Sequence, residues 1–282
     1  MGFKKIKLYS ELIMLSHSFF SLPFAITAMF MLRENLTMLS TIILIIALLA
    51  ARSGANAFNR LADCEIDKKN QRTATRHLPN GSLKKAEVLV FISVCFIILI
   101  ICAFFLNPIC VFFAPSAISI MLFYSFTKRF TFFCHYVLGL VCGSAILGVS
   151  LGVNGAVSFE TVIFFFAASL WISAFDIIYA QLDVDFDRVS GCCSIPARFG
   201  FNKAKKITFI TQIFSVILLF MLGIMQKNNL FYFLGISIML MIVLISQFLT
   251  KKGRILAASY NCNATGSIIF LLFNIIDIYM GG

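Results

Sequence analysis

Long apolar runs separated by short polar stretches dominate this chain of 282 residues. Most runs are about 20 residues long, which is the length that an α-helix needs to cross roughly 30 Å of hydrocarbon. The pattern predicts nine spans, at residues 12–32, 38–58, 87–106, 108–126, 135–153, 160–179, 206–225, 230–249 and 260–280. The break between the third and fourth rests on Asn107-Pro108, because proline removes a backbone donor and favours a helix start. We therefore expect an all-α integral membrane protein with about nine transmembrane helices in one domain, residues 1–282.

The composition agrees with this class. Hydrophobic residues make up 60% of the chain and charged residues 12%, whereas a soluble domain carries about 25% charged residues. A net charge of +11 can indicate a nucleic-acid-binding protein, but the basic residues here are distributed by loop and are not gathered on one surface. We therefore expect a lipid bilayer as the surroundings and no nucleic-acid partner.

The loops that carry the basic residues predict the orientation. With the amino terminus inside, inside segments hold 20 of the 23 Lys and Arg residues, outside loops hold only Arg33 and Lys227, and Arg52 lies within a span. The positive-inside rule then predicts a multi-pass protein of the inner (plasma) membrane with a cytoplasmic amino terminus and an outside carboxyl terminus. The first apolar run follows three lysines but continues through Phe30 without a cleavage site, so we interpret it as a span.

Two long connections, residues 59–86 and 183–205, hold six of the twelve acidic residues and face the predicted cytoplasmic side. Asn59, Asp63 and Asp67 are spaced four apart, so in a helix they share one face. Asp183 and Asp187 repeat this spacing, and Asp176 and Tyr179 extend the same stripe deeper into the sixth span. Glu65 and Asp185 lie about 200° around the helix from their neighbours and are excluded. We expect the two clusters to form two halves of one cytoplasm-facing site enclosed by the helix bundle.

The ligand that this pattern favours is Mg²⁺. Stacked carboxylates repel each other unless a cation intervenes, and Mg²⁺ binds through a few carboxylates, water and phosphate oxygens of a substrate. The alternative is that the acids are solvated helix ends that answer nearby lysines. Duplication of the cluster favours the metal, as does Asp176, because an acid within a spanning helix is costly and is a functional candidate by default.

Basic residues lie where an anionic substrate would need them. Arg72 and Arg76 follow the first cluster, Lys128 and Arg129 end the fourth span, and Arg188 follows the second cluster. Each of them could instead be a positive-inside anchor.

Three motifs in these regions resemble the UbiA prenyltransferase superfamily. Residues 59–81 match N-x-x-x-D-x-x-x-D followed by R-T-x-x-R-x-L-P-x-G. Residues 176–187 match D-x-x-Y-A-x-x-D-x-x-x-D, and residues 124–129 are similar to the family's Y-S-x-x-K-R segment. With the nine predicted spans, the resemblance covers essentially the whole chain.

The resemblance implies a Mg²⁺-dependent transferase that moves a polyprenyl group from polyprenyl diphosphate to a ring carbon of a hydroxylated aromatic acid. It implies catalytic and metal-binding roles for Asp63, Asp67, Asp183 and Asp187, with Asn59 as a further metal ligand. The diphosphate would be bound by Arg72, Arg76, Tyr124, Ser125, Lys128 and Arg188, while Asp176, Tyr179 and Arg129 would support the substrate site.

The acceptor stays open between two aromatic acids. Arg60 stands where the family commonly has Asp, and this resembles the branch associated with menaquinone synthesis through futalosine, which implies 1,4-dihydroxy-6-naphthoate. The other branch implies 4-hydroxybenzoate and ubiquinone synthesis. Arg129 or Arg52 could bind the acceptor's carboxylate, while His17 and His135, near helix ends, are expected to be structural.

A membrane transporter or ion-pathway protein is the main alternative, because acids in membrane helices also line ion paths. A transporter does not need two matched carboxylate pairs four residues apart, so the sequence favours the enzyme.

Overall fold

The computed structural model describes residues 2–13 and 21–280, apart from the side chains of residues 2–4 and 6. All regular structure in these residues is helical. The α-helices are α1 (Gly2–Leu12), α2 (Leu22–Met31), α3 (Met38–Ala62), α4 (Cys64–Lys69), α5 (Lys85–Leu106), α6 (Pro108–Thr127), α7 (Cys134–Asn154), α8 (Phe159–Tyr179), α9 (Val184–Ser190), α10 (Ile195–Met225), α11 (Leu230–Lys251) and α12 (Cys262–Met280). Short 3₁₀ turns cover Arg33–Asn35 and Ala180–Asp183, and a π-helical turn covers Ala257–Asn261.

The chain forms two compact units. The first contains the described residues 2–13 and 37–126, and the second contains 21–36 and 127–280. One domain over residues 1–282 stays a prediction.

In the first unit, α3 packs along α5. Their shared core also takes residues from the long connection between them, because Leu78 and Leu83 are buried against α3 and α5 residues such as Ala57 and Val88. The connection therefore has a fixed path, although it contains only the short helix α4. This path positions Arg72 and Arg76 after the first acidic cluster.

In the second unit, α8 belongs to the most deeply buried of the candidate membrane spans and packs against α7 and α10. Trp171 and Phe175 on α8 are almost fully buried, with ring centroids 5.0 Å apart. Phe24 of α2 packs between Phe164 of α8 and Phe270 of α12, at centroid distances of 6.1 and 5.9 Å. The carboxyl end of α8 therefore extends from a well-packed core and directly precedes the second acidic cluster.

Asp277 is a buried acid that the sequence left without a role. It lies on α12 and is 6% exposed. Its two carboxylate oxygens accept the backbone N–H groups of Asn229 and Tyr232, each at 3.0 Å. These N–H groups belong to the amino terminus of α11, where the first donors of a helix have no partner within the helix. Asp277 therefore caps α11 from another helix and lies away from the acidic clusters in sequence.

Eight helices in the described residues are long and apolar enough to cross a membrane. They coincide with the predicted spans from 38–58 onward. The remaining prediction, 12–32, holds the ten-residue apolar helix α2, and its residues 14–20 lie outside the described part of the chain. The total of nine spans therefore stays a prediction.

The seventh span differs from the prediction at its start. The apolar pattern predicts a helix from residue 206, whereas α10 begins at Ile195. Ser194 caps it by accepting the backbone N–H of Ala197, and Pro196 lies in the first turn, where its missing N–H costs nothing. Gly200 interrupts the helix with φ of 76° and ψ of 169°. The positive φ favours glycine at this kink, and the polar first turns lie outside the apolar run that guided the prediction.

The contact between α7 and α8 depends on glycine at position 139. A Cβ added at Gly139 would collide with the Ser173 hydroxyl and the Ser169 backbone carbonyl of α8. A backbone carbonyl cannot rotate away, so the helices would have to separate. We expect Gly139→Ala to lower the melting temperature of the detergent-purified protein, because overpacking costs about 1–3 kcal/mol. Gly148→Ala, on the same helix, is the control, because its Cβ would meet nothing within 4 Å. Equal melting temperatures for the two variants would contradict this account.

Candidate active site

The first acidic cluster lies where α3 passes into α4. Asp63 is the residue between the two helices, with φ of −89° and ψ of 0°. The helical hydrogen bonds nevertheless continue across it, because the N–H of Asp63 donates to Asn59 at 3.0 Å and the N–H of Asp67 donates to Asp63 at 2.8 Å. Asp63 and Asp67 are only 3% and 5% exposed. The predicted spacing of four residues is therefore retained locally, with a change of helix at its middle member.

Asp67 forms an ion pair with Arg76. One guanidinium nitrogen of Arg76, Nη1, donates to both carboxylate oxygens at 2.8 Å. The pair is largely buried, with side-chain exposures of 24% for Arg76 and 7% for Asp67. The sequence assigned Arg76 to the diphosphate and Asp67 to the metal, and did not predict this contact between them.

The intervening turn is organised by Asn70. Its side-chain carbonyl accepts the N–H of Arg72 at 3.0 Å, and its backbone carbonyl accepts the N–H groups of Thr73 and Ala74. Thr73 donates its hydroxyl to the carbonyl of Asp67 at 3.1 Å. These bonds bring the chain back so that Arg76 reaches Asp67, while the Arg72 side chain is exposed.

Glu65 points to a different set of partners. Its carboxylate lies 2.8 Å from the Lys85 ammonium and 3.4 Å from that of Lys68. The hydrogen bond from Lys85 is the main cause that lowers the pKa of Glu65. Glu65 is exposed and engaged by lysines, whereas Asp63 and Asp67 are buried.

Three further residues of the first unit, all singled out in the sequence, differ in burial. Ser125 of α6 is 2% exposed, and its buried hydroxyl finds no hydrogen-bond partner among the described residues. Tyr124 beside it is partly buried. Arg60 lines a cavity of about 220 Å³ together with Arg76 and His77.

The second acidic cluster lies where α8 ends. Tyr179 is the last residue of α8, and the 3₁₀ turn Ala180–Asp183 connects it to α9, which carries Asp187. Asp183 and Asp187 are partly buried, whereas Asp185 is exposed. The predicted stripe from Asp176 to Asp187 therefore runs through a 3₁₀ turn, which tightens the helix before Asp183. The charged and titratable groups that interact with the Asp187 carboxylate are Asp183, Lys128 and His135.

Asp187 is also fixed by a hydroxyl. Ser194 donates to Oδ2 of Asp187 at 2.8 Å, and the same Ser194 caps α10. The backbone next to Ser194 is anchored as well, because the N–H of Cys193 donates to the carbonyl of Lys128 at 2.6 Å. The turn before α10 therefore connects Lys128 and Asp187.

Asp176 pairs with His135. Oδ2 of Asp176 lies 2.7 Å from Nδ1 of His135, which is almost fully buried on α7. The sequence predicts a supporting role for Asp176 and only a structural one for His135. The sequence shows one polar residue in each of two adjacent predicted spans, but it does not show the register in which the two helices pack. The contact between His135 and Asp176 could therefore not be predicted. His17 lies outside the described residues.

The remaining predicted basic residues are arranged differently. Arg188 is exposed and donates from Nε to the carbonyl of Ala197 at 3.3 Å. Arg129 is exposed in the turn after α6, and Lys128 before it is partly buried. Lys128 is the predicted basic residue whose interaction with the Asp187 carboxylate the structure records.

The donor set suits a hard divalent cation. Each unit offers two aspartates four residues apart, and the first unit adds the side-chain amide oxygen of Asn59. No group of three or more His, Cys, Asp or Glu side chains within metal-binding reach is found in the described part of the chain. Carboxylates in pairs leave coordination positions for water and phosphate oxygens, which is how Mg²⁺ is usually bound. Asn59, Asp63 and Asp67 in one unit and Asp183 and Asp187 in the other are thus the residues that would hold it.

Two comparisons at the sequence level agree on a family. The profile of the UbiA prenyltransferase family matches residues 21–269. A 4-hydroxybenzoate octaprenyltransferase of Blochmanniella floridana is 31% identical over 233 residues, which are 80% of this chain and 81% of that protein. The enzyme of the same name in Francisella tularensis subsp. novicida is 32% identical over 75% of this chain and 74% of its own length.

Solved structures agree at the level of the fold. A UbiA homolog from Aeropyrum pernix K1, solved in the apo form, aligns with a TM-score of 0.85 and 29% identity over 93% of this chain and 98% of its own. A UbiA homolog from Archaeoglobus fulgidus bound to GPP and Mg²⁺ aligns with a TM-score of 0.74 over 96% of this chain and 99% of its own. At 19% identity, the second likeness concerns the fold alone.

The apolar helices and paired aspartates therefore belong to a multi-pass membrane protein of the prenyl-transferring class. The chain is a member of the UbiA prenyltransferase family.

Proposed function

We propose that this protein transfers a polyprenyl group from polyprenyl diphosphate to a ring carbon of a hydroxylated aromatic acid in quinone biosynthesis. The observation that carries the proposal is the duplicated pair of aspartates, Asp63 with Asp67 and Asp183 with Asp187, in a family member similar to two 4-hydroxybenzoate octaprenyltransferases. Mg²⁺ is the proposed cofactor, in agreement with the donor set and with the metal named for the Archaeoglobus fulgidus homolog.

The diphosphate is the leaving group. Bound Mg²⁺ would supply charge neutralisation for it. Lys128, which interacts with the same carboxylate as Asp183 does, would bind diphosphate oxygens together with Arg72 and Arg76. Tyr124 and the buried Ser125 hydroxyl would donate further hydrogen bonds, and Arg188 is proposed as an outer cation.

The reaction itself makes one bond and breaks two. The carbon–oxygen bond between the prenyl chain and the diphosphate breaks, and the resulting allylic cation is attacked by the electron-rich aromatic ring. A carbon–carbon bond forms, and the ring carbon then loses its proton. The apolar helices would exclude water, which would otherwise capture the cation.

The acceptor is proposed to be an aromatic acid, either 1,4-dihydroxy-6-naphthoate or 4-hydroxybenzoate. Arg60 resembles the family branch that implies the naphthoate, and it lines the cavity shared with Arg76 and His77. We propose Arg60 as one ligand of the acceptor's carboxylate, in a cavity that Glu11 also lines, with its own carboxylate 2.7 Å from Nε2 of His77. Arg129 is the other proposed carboxylate ligand, with Tyr179 as support.

The protein is proposed to lie in the inner membrane, with the amino terminus and both acidic clusters on the cytoplasmic side. The distribution of Lys and Arg between loops supports this orientation.

The decisive experiment incubates membranes that contain the protein with Mg²⁺, a polyprenyl diphosphate and one of the two acceptors. We expect an acceptor-dependent product in which the prenyl group replaces one ring hydrogen of the acceptor, and its mass identifies the acceptor. Chelation of the metal should abolish the product. Membranes without the protein are the control, and turnover of neither acceptor would contradict the proposal.

A further inference from the structure

The two hydrogen-bond neighbours of His135 favour one tautomer of its ring. The backbone N–H of Ile195 donates to Nε2 at 3.3 Å. A ring nitrogen that accepts a hydrogen bond carries no proton, so the proton of the neutral ring lies on Nδ1. Nδ1 faces Oδ2 of Asp176 at 2.7 Å and donates to it. The imidazole therefore bridges α8 and the first residue of α10.

The segment that His135 contacts is anchored at several points. The N–H of Cys193 donates to the carbonyl of Lys128 at 2.6 Å, and the Cys134 thiol lies 3.4 Å from the carbonyl of Cys193. The bond from Ile195 to His135 completes the set. Residues 193–195 are thus fixed against the turn before α7, although they lie at the start of another helix.

Ser194 stands between these anchors and is 4% exposed. Its hydroxyl donates to Oδ2 of Asp187 at 2.8 Å. Because the backbone on each side of Ser194 is held, its hydroxyl has little freedom to move. The direction of the Asp187 carboxylate consequently depends on Cys193 and Ile195, and so on His135 and Asp176.

We propose that Asp176 and His135 are positioning residues, which hold the Ser194–Ile195 turn and through it orient Asp187 toward a divalent cation. The proposal rests on the proposed function, because that function makes Asp187 a cation ligand. It replaces the expectation that Asp176 supports the substrate directly. Asp176 already accepts a hydrogen bond from His135, whose side chain is 4% exposed. That contact orients the His135 ring for its hydrogen bond with Ile195.

The size of the effect follows from this indirect action. Groups that orient a metal ligand without touching the metal typically change metal affinity by about 10–100-fold when removed. Asp176 and Ser194 belong to one chain of contacts, so their effects should not multiply. Independent effects of two tenfold changes would give about 100-fold, whereas a shared path gives about tenfold for the double variant.

The test measures Mn²⁺ binding to the full chain in detergent by electron paramagnetic resonance. A geranyl thiodiphosphate that does not ionise is present, so that binding is measured without turnover. We expect Asp176→Ala, Ser194→Ala and the double variant each to weaken Mn²⁺ binding by about tenfold. Asp176→Asn, whose amide oxygen can still accept the Nδ1 proton, should restore affinity to within about threefold of the wild type.

The matched control is Asp277→Asn, another buried acid of the second unit that accepts backbone N–H groups. It should lower the melting temperature and leave Mn²⁺ affinity unchanged. Should Asp176→Ala not fold, His135→Asn takes its place in the cycle, because its shorter side chain can reach Asp176 but not Ile195. Unchanged Mn²⁺ affinity in the single variants, or multiplication of their effects in the double variant, would overturn the proposal.

Failure of the proposed function gives a different result. A wild-type protein that binds Mn²⁺ with the thiodiphosphate but prenylates neither acceptor would overturn the proposed reaction and leave the positioning role standing. A wild-type protein that prenylates while the cycle is multiplicative would overturn the positioning role alone.

Discussion

We expect Asp63→Asn and Asp183→Asn each to reduce prenyl transfer by on the order of 10³-fold. Each variant changes the central aspartate of one cluster; Asp63 is buried and Asp183 is partly buried. Metal ions contribute several kcal/mol of charge stabilisation, and each 1.4 kcal/mol is about tenfold in rate. Asparagine keeps the size of the side chain but removes the negative charge that attracts the cation. The measurement is kcat/KM for the polyprenyl diphosphate at saturating acceptor, with a Mg²⁺ titration for each variant.

Each cluster supplies its own control two residues further along. Glu65→Gln and Asp185→Asn remove the same charge from exposed positions. Glu65 is paired with Lys85 and Lys68. If net charge alone mattered, Glu65→Gln and Asp185→Asn would weaken catalysis as much as Asp63→Asn and Asp183→Asn do. We expect both controls to retain transfer within about threefold, in line with the small effect of exposed ion pairs. Normal turnover in Asp63→Asn and Asp183→Asn would contradict the proposed function.

The spans were readable from the sequence because they rest on one strong physical constraint. A backbone in hydrocarbon must satisfy its own hydrogen bonds, so apolar runs of about 20 residues become helices. The break at Asn107-Pro108 appears in the structure between α5 and α6. The start of α10 was missed because it is set by the cap at Ser194 and by polar first turns, which do not contribute to an apolar run.

The acidic clusters were readable as well, because residues four apart stay neighbours even where a helix changes. The change of helix type could not be predicted from the single sequence. The 3₁₀ turn at Ala180–Asp183 replaces one hydrogen-bond pattern with another over four residues, and the residue types there are compatible with both. Local spacing thus predicts a shared face for each group of acids, and in the second group the 3₁₀ turn changes the helix that carries it.

Contacts between distant residues explain the rest. His135 and Asp176 are 41 residues apart, and only the packing of α7 on α8 makes them partners. That packing depends on a close approach at Gly139. The pair between Asp67 and Arg76, nine residues apart, depends on the turn that Asn70 organises. In both cases a residue assigned to a ligand is found with a partner in the protein.

The pair of Asp67 and Arg76 leads to the second large effect. Both side chains are mostly buried, and the loss of one partner of a buried pair leaves a charge without compensation. Such losses cost about 3–5 kcal/mol. We therefore expect Arg76→Met to lower the melting temperature of the purified protein strongly. It should also reduce kcat/KM for the polyprenyl diphosphate, because Arg76 is a proposed diphosphate ligand.

The double variant Arg76→Met/Asp67→Asn separates these two roles. It removes both charges, and replacement of a buried pair as a whole is often neutral for stability. The melting temperature should therefore recover most of the loss, while prenyl transfer stays low because both proposed ligands are gone. Mg²⁺ should also stabilise Arg76→Met more than the wild type, since the cation can compensate the charge of Asp67.

Lys85→Met is the control for the loss of an ion pair as such. Lys85 pairs with Glu65 at 2.8 Å, but both side chains are more than half exposed, so solvent screens the interaction and the melting temperature should change little. A double variant no more stable than Arg76→Met would show that Arg76 stabilises the fold through other contacts. Recovery of transfer together with stability would show instead that Asp67 and Arg76 serve the fold alone, and the metal and diphosphate would then have to be bound without them.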